Sequence, residues 1–365
     1  MTDIRSVQRY LETFAPSSLQ ESYDNSGLLV GDPDAEVRGV LVSLDCTEEV
    51  VQEAIDTGCN MVVAHHPVVF SGLRRLNGST YVERAVLKAI KNDIALYAIH
   101  TNLDNVRQGV NQKIAERLGL QSCRVLAPKK GLLRKLVTFC PLTHAESVRQ
   151  ALFDAGAGKI GAYDECGFST NGEGTFRAGA GANPFIGTVG QRHTEQEVRL
   201  EVVFESWHSA SLIKALKAAH PYEEVAYDVY ALENEHPEVG AGLLGLLGQE
   251  MAERDFLSLL KQAMGAECVR HTRFLGKKVQ KIAVCGGSGS FLLSDAKKAG
   301  ADVLVTADFK YHQFFDAEND LLIADIGHYE SERFTMELIH DLILKKFPTF
   351  AVRLTGLNTN PVHYL

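Results

Sequence analysis

Two adjacent histidines, His65 and His66, follow the apolar run Met61-Val62-Val63-Ala64 and precede Pro67. The run reads as a buried parallel strand. Neighbouring side chains on a strand point to opposite faces, so a pair can aim two rings at one point only where the chain leaves the strand. Open α/β sheets place their ligands in the crevice beyond the carboxyl ends of the strands. Neutral imidazole is the commonest metal-binding side chain. Asp104 stands just beyond another strand end, at residues 94–99. His328 and Glu332 open the helix after residues 321–326, and their i, i+4 spacing puts imidazole and carboxylate on one face. That spacing presents N and O ligands to zinc or iron, and it also occurs in plain surface helix pairs.

Three imidazoles and two carboxylates exceed what one tetrahedral zinc needs. Five ligands suit two divalent ions sharing a bridging carboxylate and a bridging water. Two ions about 3.5–4 Å apart form a hydrolytic centre that holds both the attacking and the leaving oxygen. The nitrogen-rich set favours zinc, with iron or manganese as alternatives, over magnesium. His100, His312, Tyr311 and Asp308 lie near other strand ends and are candidates for orienting the ligands or moving a proton, His100 and His312 foremost as catalytic residues. The turn Gly286-Gly287-Ser288-Gly289-Ser290 follows a strand and opens a helix, a geometry that can bind phosphate. It lacks the Lys of a P-loop and the third glycine of a dinucleotide fingerprint, so a packing turn is the better reading.

The elements that must position these residues come from both ends of the chain. Strand signals at 39–44, 61–64 and 94–99 alternate with helix signals at 47–54, 81–91 and 109–118, which implies a parallel sheet with crossover helices. Further strands at 281–285, 302–306 and 321–326 repeat the style, and a final helix starts near Tyr329. The middle differs. Strands at 134–140, 197–204 and 225–232, helices at 145–155 and 210–219, and a strand hidden near 163–168 give the order β-α-β-β-α-β, a ferredoxin-like split unit. Residues 156–190 hold ten of the 31 glycines and read as a long irregular loop. The expected fold class is α/β: a core of parallel and mixed sheets with crossover helices built from residues 1–127 and 237–365, and an inserted ferredoxin-like α+β domain at 128–236.

Composition narrows the function. Hydrophobic content of 45% and charged content of 23% fit an ordinary globular protein. No run of about 18 apolar residues suggests a membrane span. Met1-Thr2-Asp3-Ile4-Arg5 lacks the basic-then-apolar pattern of a signal peptide. Seven cysteines, an odd number with no CxxC pair, argue against a disulfide framework and for a reducing cytoplasm. A net charge of −9 disfavours a general nucleic-acid binder.

The pieces together resemble the NGG-interacting-factor-three-like family, whose members are often named GTP cyclohydrolase 1 type 2 homologues. The resemblance rests on Asp24-Asn25-Ser26-Gly27-Leu28-Leu29-Val30-Gly31, Val63-Ala64-His65-His66-Pro67, His100-Thr101-Asn102-Leu103-Asp104, Thr306-Ala307-Asp308-Phe309-Lys310-Tyr311-His312 and Gly327-His328-Tyr329-Glu330-Ser331-Glu332. It implies a two-metal site at His65, His66, Asp104, His328 and Glu332, the last bridging both metals, in a toroidal homo-hexamer whose sites face an internal cavity. Where family members usually read Thr-Gly-Asp, this chain has Thr306-Ala307-Asp308. The inserted domain, through His220-Pro221-Tyr222-Glu223-Glu224 and Tyr227-Asp228-Val229, resembles small trimeric metal-tolerance and nitrogen-signalling folds.

Three function classes follow. The first is a metal-dependent hydrolase acting on a small molecule, with a purine nucleotide such as GTP as one candidate. The second is a non-catalytic metal-binding or metal-handling regulator whose inserted domain senses a small molecule. The third, a ring around nucleic acid, is the weakest on charge grounds.

Overall fold

In the computed structural model, which describes residues 2–365, the apolar runs become short, wholly buried strands. The first third of the chain runs α1 (Ile4–Phe14), β1 (Gly27–Val30), β2 (Gly39–Ser43), α2 (Glu48–Asp56), β3 (Met61–Ala64), α3 (Tyr81–Lys91), β4 (Ala95–Ala98), α4 (Thr101–Asp104), α5 (Val110–Arg117) and β5 (Gln121–Lys130). The middle runs β6 (Leu133–Pro141), α6 (Ala145–Asp154), β7 (Gly167–Arg177), β8 (Arg192–Glu205), α7 (Ser209–Ala219) and β9 (Tyr227–Ala231). The last third runs β10 (Glu235–Ala252), α8 (Glu253–Met264), β11 (Arg270–His271), β12 (Lys278–Ser288), α9 (Leu293–Lys298), β13 (Val303–Ala307), β14 (Leu322–Asp325), α10 (His328–Glu332), α11 (Thr335–Lys346) and β15 (Ala351–Leu354).

The chain forms two compact units, Met1–Pro128 with Glu238–Leu365, and Lys129–Pro237. The first holds two sheets. One has the order β1-β4-β3-β2-β15, parallel except for β1. Alternate strand residues serve its two faces. Leu41, Val62 and Leu96 pack on α2 and α3, while Val40, Val42, Met61 and Val63 pack on α1 and α11 through Ile4, Val7, Leu11, Ile339 and Ile343. Thr47 and Thr80 cap α2 and α3, each accepting a backbone N–H with its side chain, so both crossovers start where their capping residues stand. The other sheet has the order β11-β14-β13-β12-β10-β5, with β12, β13 and β14 parallel. Its apolar faces meet α5 and α8 on one side and α9 on the other. The mixed α/β class expected from the sequence is present.

The Lys129–Pro237 unit has the element order β6-α6-β7-β8-α7-β9 and one sheet, β7-β8-β6-β9, antiparallel throughout. Leu136, Cys140, Val198, Leu200, Val202 and Phe204 face both helices through Val148, Leu152, Leu212 and Leu216.

Three expectations are corrected. Residues 156–190 are not all loop, and the hidden strand lies at Gly167–Arg177 rather than near 163–168. The long alternating β8 supplies a complete hydrogen-bonding edge, and β7 pairs with it in continuous register despite three glycines. The final helix is two helices, α10 and α11, and Thr335, Ile339 and Ile343 are the fully buried residues of the second. Finally, β12 runs through Gly286 and Gly287 to Ser288, so the glycine turn is largely strand.

Candidate metal centre

His65 and His66 leave β3 at its carboxyl end, where backbone bonds to Ser43 O and Leu44 O keep the chain beside β2 for two more residues. Their rings then turn into one crevice, with centroids 4.9 Å apart. Asp104 ends α4, the short helix after β4, and His328 and Glu332 span α10, directly after β14. The crevice is a cavity of about 900 Å3, lined in part by His66, His100, Asp104, His328 and Glu332.

The ligand atoms fall into overlapping groups in which all members lie within 4.8 Å of one another: His65, Asp104 and Glu332; His66, His328 and Glu332; and His65, His66 and His100. Glu332 divides its oxygens between the first two. Its Oε1 lies 3.9 Å from His65 Nε2, whereas its Oε2 lies 2.9 Å from His66 Nε2 and 3.0 Å from His328 Nε2.

Each imidazole is fixed by a partner on its far nitrogen. His65 Nδ1 donates to the carbonyl of Ile99 at 2.8 Å, His66 Nδ1 meets Asp45 at 2.8 Å, His328 Nδ1 meets Asp308 at 2.6 Å, and His100 Nδ1 meets Asp24 at 2.8 Å. Metal-binding histidines are commonly held this way, because the far partner sets both tautomer and ring plane.

Electrostatics separate the two sides. Burial pushes His65 down to about 3, so it is neutral and its Nε2 carries a lone pair. That nitrogen faces Asp104 Oδ1 at 3.6 Å, and among the described residues both are buried polar atoms with no hydrogen-bond partner. Burial, then the neighbouring Glu332, drives the Asp104 carboxyl well above the usual carboxylate range. Burial opposes charge on His66 and His328 as well, yet their carboxylate neighbours raise them to about 10 and about 11. Glu332, against the same burial, is held well below its ordinary range by His328 and His66. At 3.6 Å the two atoms are too far apart for a hydrogen bond even with a proton on Asp104, so both stay unsatisfied in a buried site unless a cation lies between them. Two ligands about 2.0–2.1 Å from a tetrahedral ion stand about 3.3 Å apart, near the observed spacing. These histidines and carboxylates therefore fit a metal ion.

The glycines of β12 make room for this cluster. A Cβ at Gly287, where φ is +60°, would lie 2.4 Å from Glu332 Oε1. The Gly286 and Gly287 amides donate to Asn111 Oδ1 and Ser331 Oγ, both at 2.9 Å, which leaves them unavailable to a phosphate. Ala307 stands in β13, and the left-handed turn falls on the next residue, Asp308 at φ 60°, a residue type that tolerates it. The departure from Thr-Gly-Asp therefore disturbs nothing.

All five proposed ligands converge, and His100 joins them. His312 does not. It lies in the 3-10 turn Tyr311–Ala317, where its ring meets Tyr311 and stacks on Phe315. Asp45 and Asp24 went unassigned in the sequence, although Asp45 follows β2 as His65 follows β3. Among the described residues no helix is long and apolar enough to cross a membrane.

A profile of the Duf34/NIF3 (NGG1p interacting factor 3) family matches residues 2–361. A Bacillus subtilis (strain 168) protein named GTP cyclohydrolase 1 type 2 homolog is 39% identical over 365 residues, covering 98% of each chain. A Halalkalibacterium halodurans protein of the same name is 40% identical over 326 residues, 89% of this chain and 88% of that one. The crystal structure of a Bacillus cereus protein related to NIF3 matches 100% of this chain and 99% of its own, at 40% identity and a TM-score of 0.88. This chain belongs to the Duf34/NIF3 family.

Proposed function

We propose that the chain is a dinuclear-metal-binding protein acting as a metal-dependent hydrolase on a nucleotide or a related small molecule. The observation that carries this reading is Glu332, whose two oxygens serve two separate groups of ligand atoms. In it, His65, Asp104 and Glu332 hold one divalent ion, and His66, His328 and Glu332 the other, zinc ahead of iron or manganese on the donor set. Such a pair supplies Lewis acidity and activates water near neutral pH. The chain's own residues do the rest. Ile99, Asp45 and Asp308 hold the Nδ1 atoms so that each Nε2 points inward. His100, held at Nδ1 by Asp24, is placed to take or give a proton through Nε2.

Substrate class follows from the cavity lining. Tyr23, Phe70 and Phe291, each at least half exposed, offer flat faces to a planar heterocycle. Among the described lining residues Arg270 is the one Lys or Arg, and it suits a phosphate or carboxylate. The names of the relatives point to the same substrate class. We read the Lys129–Pro237 unit as ferredoxin-like, and the family resemblance supports a cytoplasmic homo-hexamer, which light scattering of the 40.0 kDa chain tests directly.

Elemental analysis of protein purified without added metal should find about two ions per chain. His65→Ala should lose mainly one of them and lose turnover of a nucleotide panel. Metal-loaded protein that turns over nothing faster than this variant would favour the metal-handling alternative. A metal content near zero, unchanged by added zinc, would remove the reading altogether.

A further inference from the structure

We infer that residues 355–364, the segment after β15, clasp the two halves of the metal-binding cluster, with Thr359 and Asn360 as the positioning residues; this rests on the dinuclear reading above. β15 lies parallel to β2, with Leu354 opposite Val42, so the chain leaves the sheet at the end where β2 also leaves it. Glu53 of α2 anchors the start, accepting from the Thr355 hydroxyl and, at 2.8 Å, from the Gly356 amide. Thr359 Oγ1 then donates to Asp45 Oδ2 at 2.6 Å, while Asp45 Oδ1 accepts from His66 Nδ1 at 2.8 Å.

The next residue reaches the other half. Asn360 Nδ2 donates to Glu330 Oε1 at 3.1 Å, and Glu330 is a buried residue of α10, between His328 and Glu332. The segment is also pinned on itself, with Asn360 N donating to Asn358 Oδ1 and Val362 N to Asn360 Oδ1, both at 3.1 Å. Two consecutive residues thus tie the β2–β3 side, which carries His66, to the helix that carries His328 and Glu332.

A hydrogen bond at one carboxylate oxygen restrains rotation about Cβ–Cγ, so the Thr359 hydroxyl steers the direction of the oxygen that receives the His66 proton. That oxygen fixes the ring plane and hence the line of Nε2. Outer partners of metal-binding histidines are typically worth 10–100-fold in metal affinity. Thr359 acts one bond further out, so the lower end of that range is expected. Asn360 acts on the helix that carries ligands of both ions, so its loss touches both.

The test uses the full chain and cobalt(II) alone, titrated against a competing chelator while the d–d absorption is followed. Thr359→Val should weaken one of the two ions about tenfold and alter its band, with the other unchanged. Thr359→Ser should restore that ion's affinity and its band, because the hydroxyl remains. Asp45→Asn combined with Thr359→Val should cost little more than Asp45→Asn alone, since both act through His66. Asn360→Ala should weaken both ions. Thermal unfolding of the metal-stripped variants separates misfolding from mispositioning. A Thr359→Val protein with wild-type affinities and spectrum overturns the clasp and leaves the dinuclear reading standing. So does a Thr359→Ser protein as weak as Thr359→Val, because packing rather than the hydroxyl would then matter. A wild-type chain that takes up no cobalt overturns the metal reading itself, and the clasp with it.

Discussion

Two stretches of this chain are rich in glycine, one packed throughout and the other packed only in part. In residues 286–289 the space that a side chain would need is already filled. A Cβ at Gly286 would lie 2.7 Å from Val110, one at Gly287 2.4 Å from Glu332, and one at Gly289 2.4 Å from Thr306. Residues 156–190 are mixed: a Cβ at Gly161, Gly172, Gly179, Gly181 or Gly190 would meet nothing within 4 Å, whereas one at Gly158 would lie 2.8 Å from Phe153 and one at Gly174 2.0 Å from the end of the Glu197 side chain. The first stretch brings a backbone against a buried cluster of ligands. The second includes an exposed edge strand, β7, that spans Gly167–Arg177 and needs little from its side chains. Glycine content alone does not separate exclusion from slack, and burial does.

The comparison can be broken most severely at Glu332, the group that fills the space above Gly287. Glu332→Ala should lose both ions, against mainly one for His65→Ala, and calorimetric metal titration of the two variants checks it; equal stoichiometries would count against a bridging carboxylate. Gly287→Ala comes next. Its Cβ meets a carboxylate that is 3% exposed and held by two histidines, at a left-handed φ. A cost of about 2–4 kcal/mol in stability is expected, with weakened metal binding. Made in the Glu332→Ala background, the same substitution should cost only about 1 kcal/mol, the backbone part, as chemical denaturation of the four proteins of the cycle would show. Gly172→Ala, on the exposed strand, should change stability by no more than about 0.5 kcal/mol and leave metal content untouched. A large effect there would mean that β7 is covered by something in solution.

The ligand set was legible because its members sit at a strand end or in the short helix just beyond one, and strand periodicity is a strong signal. His65 and His66 directly follow β3, His328 opens α10 with Glu332 one turn on, and Asp104 closes the single helical turn that His100 starts after β4. His312 shares the motif but not the geometry, because Asp308 turns left-handed after β13 and the chain runs outward into a 3-10 turn. The supporting residues were hidden for a different reason. Asp45, Asp24 and Thr359 are single polar residues whose partners lie far away in sequence, at His66, His100 and Asp45. Asp45 does share the strand-end position of His65, but nothing local says which histidine it holds, and no local pattern marks Thr359. β15 escaped because four residues, Ala351–Leu354, on the edge of a sheet carry almost no periodicity. β10 escaped because Gly240, Gly242, Gly245 and Gly248 interrupt its apolar run, where Cβ atoms at the first three would strike Ala127, Leu292 and Cys123.

The pairing of β15 with β2 also sets an order of events during synthesis. The first sheet lacks one edge strand, and its α1 face lacks Ile339 and Ile343, until the last few dozen residues emerge. At about 5–20 residues per second, roughly 10–45 s separate residue 128 from residue 354. During that interval the nascent amino-terminal half exposes part of its future interior and carries His65, His66 and Asp104 without Glu332. On the dinuclear reading, metal capture by both groups would therefore be a late event, after translation has passed α10. A ribosome stalled before residue 328 would display three of the five proposed ligands and an unfinished sheet, while the Lys129–Pro237 unit, contiguous in sequence, would already be complete.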